Sequence, residues 1–263
     1  MSLVHHGNAE MQFEQQYLNA KNYIIPFIEP YKPITENVKV MDIGCGEGGV
    51  LKAFIEKGCN CLGVDLSPER IQNAMRIQSE AVIQGKLECI AKNIYDFSPK
   101  EFHQWDLIIF KDSIEHIPEQ SKIIEHCKKF LKKDGMIFLG FPAWNMPFGG
   151  HQQILPSKFW SKLPYYHLLP TAFYKACLNL ATKDQSYINE LLEIKQLGIS
   201  THRFERIIKK TGYTIVKKQF WLINPIYAYK FGLKPRVLPS FMNPLVGIRD
   251  FFITTAFYLI QPI

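Results

Sequence analysis

Between residues 38 and 142, short apolar runs alternate with amphipathic stretches, and this rhythm restricts the fold more than any other feature of the chain. The runs VKVMDI (38–43), NCLGVDLS (60–67), KLECIAKNI (86–94), WDLIIFKDS (105–113) and GMIFLGFP (135–142) read as five strands. They are near-continuously apolar, as strands buried on both faces are. Between them, GVLKAFIEKG (49–58), SPERIQNAMRIQSEAVIQG (67–85) and EQSKIIEHCKKFLKKDG (119–135) have helical spacing and end on glycine. Ser67 is placed as a helix N-cap with Pro68 at the first helical position. Strands alternating with helices predict βαβ units and a parallel sheet covered on both faces.

The rhythm breaks at 143–199, a stretch carrying Trp144, Phe148, Phe159, Trp160, Tyr165, Tyr166, Phe173 and Tyr174. It resumes with STHRFERIIKKTG (200–212) as a helix and YTIVKKQFWLI (213–223) as a strand. The expected fold is therefore α/β: a Rossmann-like, seven-stranded, mostly parallel sheet with helices on both faces. An aromatic-rich cap is inserted after the fifth strand, where it can cover a site at the carboxyl ends of the strands. The expected division is an N-terminal helical segment (1–35), a core (36–142), the cap (143–199) and the completion of the sheet (200–263). Within the first segment, 11–30 reads as a helix stopping near Pro26. The apolar tail IRDFFITTAFYLIQ (248–261) is too short to span a bilayer, which takes about 20 residues, and its β-branched and aromatic content favours a last core strand over a membrane-surface element.

Charge and cysteines narrow the partners. The formal charge of +7 could attract anions, but the lysine pairs at 128–129, 132–133, 209–210 and 217–218 are dispersed and read as solvated faces. Six cysteines contain no CxxC pair, which argues against zinc and for reduced, buried thiols. The start MSLVHHGNAEMQFEQQ has no basic region followed by an apolar core, so a cytoplasmic protein is expected; His5–His6 is too short for a metal site.

Residues 40–49, VMDIGCGEGG, hold the densest chemical signal. Glycine lets a chain turn with positive φ and lets a ligand approach the backbone. Gly44, Gly46 and Gly49 fit the dinucleotide pattern GxGxxG, while Gly44, Gly46 and Gly48 fit GxGxG with Asp42 at the strand end. An acid there opposes a pyrophosphate but favours S-adenosylmethionine, which carries an ammonium and a sulfonium. Asp65 ends the second strand, where a ribose-binding acid belongs.

With these residues the chain resembles the class I S-adenosylmethionine-dependent methyltransferases, through VMDIGCGEGG, CLGVDLSPERIQNA, IAKNIYDF, WDLIIFKDSIEHIP and CKKFLKKDGMIFLGFP. Its first half is similar to the O-methyltransferases of quinone biosynthesis. The resemblance implies that Asp42, Gly44, Cys45, Gly46 and Gly48 line the methionine part of the cofactor. Asp65 would hold the ribose, Leu66 would flank adenine, Asn93 would read its amino group and Ile94 would lie beside the ring. Lys111 and Asp112 would pass the methionine moiety, and His116 would lie near the transferred methyl. The product would be S-adenosylhomocysteine.

A hydroxyl acceptor needs its proton removed, a task most often done by histidine. His116 and His151, in GGHQQ, are the candidates, with His167 and His202 behind them; no metal ligands stand out. The chain lacks (D/N)PP(Y/F) after the fourth strand and any Pro-Cys dipeptide, which disfavours nucleic acid as substrate. The expected reaction is O-methylation of a phenolic, lipid-linked or glycan small molecule, with room for peripheral membrane contact through the cap. The alternatives are a nicotinamide-dependent oxidoreductase and a non-catalytic S-adenosylmethionine-binding protein.

Overall fold

The computed structural model describes residues 9–98, 100 and 103–263; the His5–His6 pair lies outside them. Strands β1 (Lys39–Ile43), β2 (Asn60–Asp65), β3 (Leu87–Ala91), β4 (Trp105–Lys111), β5 (Leu131–Phe141), β6 (Tyr213–Ile223), β7 (Arg236–Val237) and β8 (Thr255–Pro262) form one sheet. Their order is β3-β2-β1-β4-β5-β8-β6-β7. The pairings among β1 to β5 are parallel, and β8 enters antiparallel between β5 and β6. The sheet has eight strands where seven were expected, because two residues, Arg236 and Val237, pair along the outer edge of β6.

Strand alternation divides the core in two. Val40, Leu107, Ile109, Met136 and Phe138 pack on one face. Met41, Ile108, Phe110, Ile137 and Leu139 pack on the other. The first face is covered by α1 (Ala9–Asn19), α2 (Ile25–Ile28) and α3 (Gly49–Ile55). On the second face α6 (Gln120–Cys127) and α9 (Thr201–Lys210) supply the cover. The tail is a central strand: Thr255–Ile260 is buried throughout, so its apolarity belongs to the core.

The N-terminal helix ends at Ile28, two residues past Pro26, and a π-helical turn over Ala20–Ile24 precedes the ring, which lacks an N–H. Two sequence expectations are corrected. The helix expected over 119–135 ends at Cys127, since Leu131 already pairs with Trp105 as β5 begins. The helix expected over 67–85 is split into α4 (Pro68–Ile77) and α5 (Ser79–Ile83) at Gln78, whose buried amide turns inward to the Gly48 carbonyl at 3.1 Å. Ser67 does cap α4, accepting from the Arg70 N–H.

Residues 143–199 leave and rejoin the core at one neck, where the Trp144 N–H donates to the Ile199 carbonyl at 2.8 Å. Within the segment, α7 (Thr171–Ala181) and α8 (Gln185–Leu197) enclose a cluster of Leu155, Tyr166, Tyr174, Leu178, Ile188 and Leu191. The last helix, α10 (Tyr227–Phe231), follows β6.

Gly49 is where α3 meets α1: a Cβ there would lie 2.2 Å from the Phe13 carbonyl oxygen. Gly49→Ala is expected to push α1 away and cost about 1–3 kcal/mol, read as a lowered thermal midpoint. An unchanged midpoint would mean that α1 yields without cost.

Candidate functional site

A cavity of about 550 Å³ opens beyond the carboxyl ends of β1 and β4. This is where open α/β sheets place ligands. Asp42 from β1, Lys111 from β4, and Asp112 after it all line the cavity. So do Gly44, Cys45, Glu47 and Gly49 of the loop after β1.

Gly44, Gly46 and Gly48 have φ of 79°, 53° and 80°, values that L side chains rarely adopt. The space where their side chains would stand is filled by the protein itself. A Cβ would lie 2.6 Å from Ser113 Cβ at Gly44, 2.5 Å from the Arg70 guanidinium at Gly46 and 2.7 Å from the Gln78 amide at Gly48. The glycines therefore let the loop fold tightly against its neighbours; Gly44 and Cys45 line the cavity, whereas Gly46 and Gly48 do not. Gly49 does not have positive φ and belongs to helix packing, so the GxGxG reading describes the loop better than GxGxxG. The Cys45 thiol is buried, and burial raises its pKa well above the ordinary range.

Asp65 braces this loop. One carboxylate oxygen accepts from the Gly46 N–H and the other from the Ser67 N–H, both at 2.9 Å. An ionised carboxylate has further lone pairs on each oxygen, so it is held in place with acceptor capacity left. The pairing Asp65↔Ala91 brings the ends of β2 and β3 together, so Leu66 and Asn93 emerge side by side. Leu66 is 73% exposed, an apolar side chain without cover. Asn93 is exposed and its side-chain oxygen accepts from the Tyr95 N–H at 3.1 Å. Ile94 is 6% exposed and belongs to the core cluster, so its side chain is not open on the surface as Leu66 is. Asp65, Leu66, Asn93 and Ile94 are outside the cavity lining, on an open shelf beside it.

Inside the cavity, Asp42 is 1% exposed and its Oδ1 has no hydrogen-bond partner. Burial, and then the neighbouring Asp65 charge, raise its pKa to about 8 against the pull of Lys111. A buried carboxyl with an orphaned oxygen is a site waiting for a cation. Burial also works to raise Asp112, but the Lys111 ion pair outweighs it and holds the carboxyl below its usual range.

His116 and His151 come together, their rings edge to face with centroids 4.9 Å apart. Both line the cavity, one from the turn after β4 and one from the 143–199 segment. His116 keeps an exposed edge, yet desolvation by the surrounding cavity wall lowers its pKa below 6.5 despite the charge of Asp112. Asp112 and His151 both have positive φ, 52° and 55°, and such strained non-glycine residues concentrate at functional sites. The other two histidines fall away. His167 is fully buried within the 143–199 segment, bonded to the Trp144 carbonyl at 2.8 Å, and His202 stands exposed on α9.

Several lining residues had no clear sequence signal. Gln12, Gln15 and Gln16 come from α1, and Tyr227 and Lys230 from α10. Glu115 could have been found beside His116 in the EH pair. It is buried, neither oxygen has a partner, and burial followed by Asp112 raises its pKa to about 8. Glu115, His116 and His151 place one ligating atom each within 4.8 Å of one another, a cluster of the size that holds a divalent cation.

The cavity offers an orphaned carboxyl to an ammonium and part of a glycine loop, and the shelf beside it adds a braced acid and an uncovered apolar side chain. A family described as a methyltransferase domain matches residues 34–218, more than half of the chain. The chain belongs to that family, within the class I S-adenosylmethionine-dependent methyltransferases.

A ubiquinone biosynthesis O-methyltransferase from Idiomarina loihiensis is 34% identical over 113 residues, covering 43% of this chain and 45% of the relative. One from Citrobacter koseri is 26% identical, covering 44% of this chain and 50% of the relative. The chain spans about half the length of the curated relatives it matches. Among solved structures, geranyl diphosphate C-methyltransferase from Streptomyces coelicolor, in complex with Mg²⁺, geranyl diphosphate and S-adenosylhomocysteine, superposes with a TM-score of 0.57 at 13% identity. That match covers 90% of this chain and 78% of the other. A geranyl diphosphate methyltransferase in complex with S-adenosylmethionine gives 0.56 at 14% identity, covering 99% and 87%. At these identities the likeness shows the fold.

The residues fit the cofactor. Asp42 would hold its α-ammonium, the Gly44–Gly48 loop its methionine chain, Asp65 the ribose hydroxyls, and Leu66 and Asn93 the adenine.

Proposed function

We propose that this chain methylates the hydroxyl of a small, largely apolar acceptor, a phenol or a lipid-linked phenol in preference to a glycan. The observation that carries this reading is the convergence of His116 and His151 in the cavity that Asp42 closes at the other chemical pole. S-adenosylmethionine supplies a methyl already activated by its sulfonium. The chain's own task is alignment and exclusion of water, worth roughly 7–11 kcal/mol of barrier.

His116, an exposed ring whose pKa desolvation lowers, is available to take the hydroxyl proton on a ring nitrogen. The 143–199 segment acts as the acceptor cap: Met146, Phe148 and Ile154 give the cavity an apolar wall. The similarity to quinone-pathway O-methyltransferases supports a phenolic acceptor, and the six free cysteines support a cytoplasmic setting.

The test is release of S-adenosylhomocysteine from purified protein offered catechols, isoprenoid-tailed catechols and sugars in parallel. Turnover confined to the phenols is the expected result. Turnover on sugars alone would replace the acceptor class. Tight S-adenosylhomocysteine binding with no acceptor active would favour a non-catalytic binding protein.

A further inference from the structure

We propose that the segment 231–252 docks the protein on an anionic lipid surface. Between α10 and β8 the chain exposes Leu233, Phe241, Leu245, Val246, Ile248 and Phe252, with Phe241 at 75% and Ile248 at 56% exposure. Single exposed apolar residues are ordinary, but here six fall within one 20-residue stretch, four of them between 241 and 248.

The run is held out deliberately. Leu238 and Ile253 are buried in the core and Met242 packs against it, fixing the segment from beneath. Arg249 is 1% exposed, donates to the Asn243 carbonyl and to Glu205, and lies 4.2 Å from the Phe220 ring centre. A loop pinned at both ends and the middle cannot fold its outward side chains away.

Charge selects the occupant. Residues 206–263 contain nine Lys or Arg and one acid, Asp250; Arg249 is buried and pairs with Glu205, as does Lys218, which leaves seven. Asp250 is fully buried and accepts from Thr201, so it answers none of that charge at the surface. Lys234 and Arg236 stand exposed within the apolar run. An apolar face with basic residues and no exposed acid matches the interface of a bilayer carrying anionic lipid. A second copy fits worse, because a two-fold contact would set Lys234 and Arg236 against themselves. The same segment begins at the cavity: Lys230 and Phe231 line it. A docked protein would therefore open toward the bilayer. The inference rests on this surface and not on the acceptor reading.

Flotation of the purified full-length protein with vesicles tests it, using phosphatidylcholine alone and phosphatidylcholine with about one third phosphatidylglycerol. Binding only to the second is expected. Lys234→Glu with Arg236→Glu should weaken it about 25-fold or more, at about fivefold per basic residue. Phe241→Ser with Ile248→Ser should weaken it at least tenfold. Phe159→Ser, on the exposed side of the cap, should leave it unchanged and so separate this surface from the cap. S-adenosylhomocysteine titration of each variant reports the fold and the cofactor site independently. No flotation with the anionic vesicles, or equal flotation of all variants, would overturn the proposal. So would a dimer in sedimentation velocity that Phe241→Ser dissolves.

Discussion

Asp42→Asn is expected to weaken S-adenosylhomocysteine binding about a hundredfold or more, while the protein melts higher at pH 8 than the parent. Both effects come from one buried carboxyl. Removing one partner of a desolvated charge pair costs about 2–5 kcal/mol. In the liganded site that partner is the ammonium, so the loss appears in calorimetric affinity. In the free protein the same carboxyl has an orphaned oxygen and a pKa raised to about 8 by burial and by Asp65.

The sign of the pH dependence follows. Folding raises this carboxyl from an ordinary 3.8 to about 8, so the folded state binds the proton more tightly than the unfolded state. Asp42 therefore lowers the stability of the free protein progressively as pH climbs between those values. Glu115, raised from 4.5 to about 8, adds a slope of the same sign that the Asn variant retains. Binding of an ammonium returns Asp42 to its ionised form and releases a proton. Affinity should rise by up to about tenfold per pH unit toward 8 and then level. Titrations at pH 6 and 8, in two buffers of different ionisation heat, check this. Equal affinity at both pH values with no proton release would remove Asp42 from the ammonium role.

The sheet was legible because its strands are near-continuous apolar runs, and the candidate cofactor residues could be placed because each sits at or beside a strand end. Asp42, Asp65 and Lys111 needed only the boundary of a buried run to be located. Boundaries failed where one pattern served two structures. KKFLKKDG reads as helix by spacing, yet Leu131 pairs with Trp105, because a buried neighbour on the sheet outweighs local propensity. The cavity walls from α1 and α10 were invisible for another reason. Gln15 and Lys230 are more than 200 positions apart in sequence, and only the folded sheet brings them to one opening. The glycine spacing located the loop, and the structure adds a packing reason for it, since Cβ atoms there would meet Ser113, Arg70 and Gln78.

His116→Ala and His151→Ala should each lower kcat about 10²–10⁴-fold on a phenolic acceptor, the usual contribution of a positioned base. S-adenosylhomocysteine affinity should change little, because neither ring belongs to the ammonium or ribose contacts. Residues acting as one unit are not additive, so the double variant should lose no more than the worse single one. In the parent, desolvation at the cavity wall holds His116 below 6.5, so the neutral ring predominates at pH 7 and protonation comes in more acid solution. The rate should therefore fall on the acid side with a midpoint under 6.5, and that limb should vanish in His116→Ala. Chelation separates proton transfer from metal binding by the Glu115, His116 and His151 cluster. Activity unmoved by EDTA assigns the imidazoles to the proton. Activity lost to EDTA and restored by Mg²⁺ or Zn²⁺ assigns them to a cation that orients the acceptor oxygen, and Glu115→Gln should then fail with them. If both alanine variants keep full turnover, alignment alone drives the transfer, and the meeting of the two rings is a matter of packing between the 143–199 segment and the turn after β4.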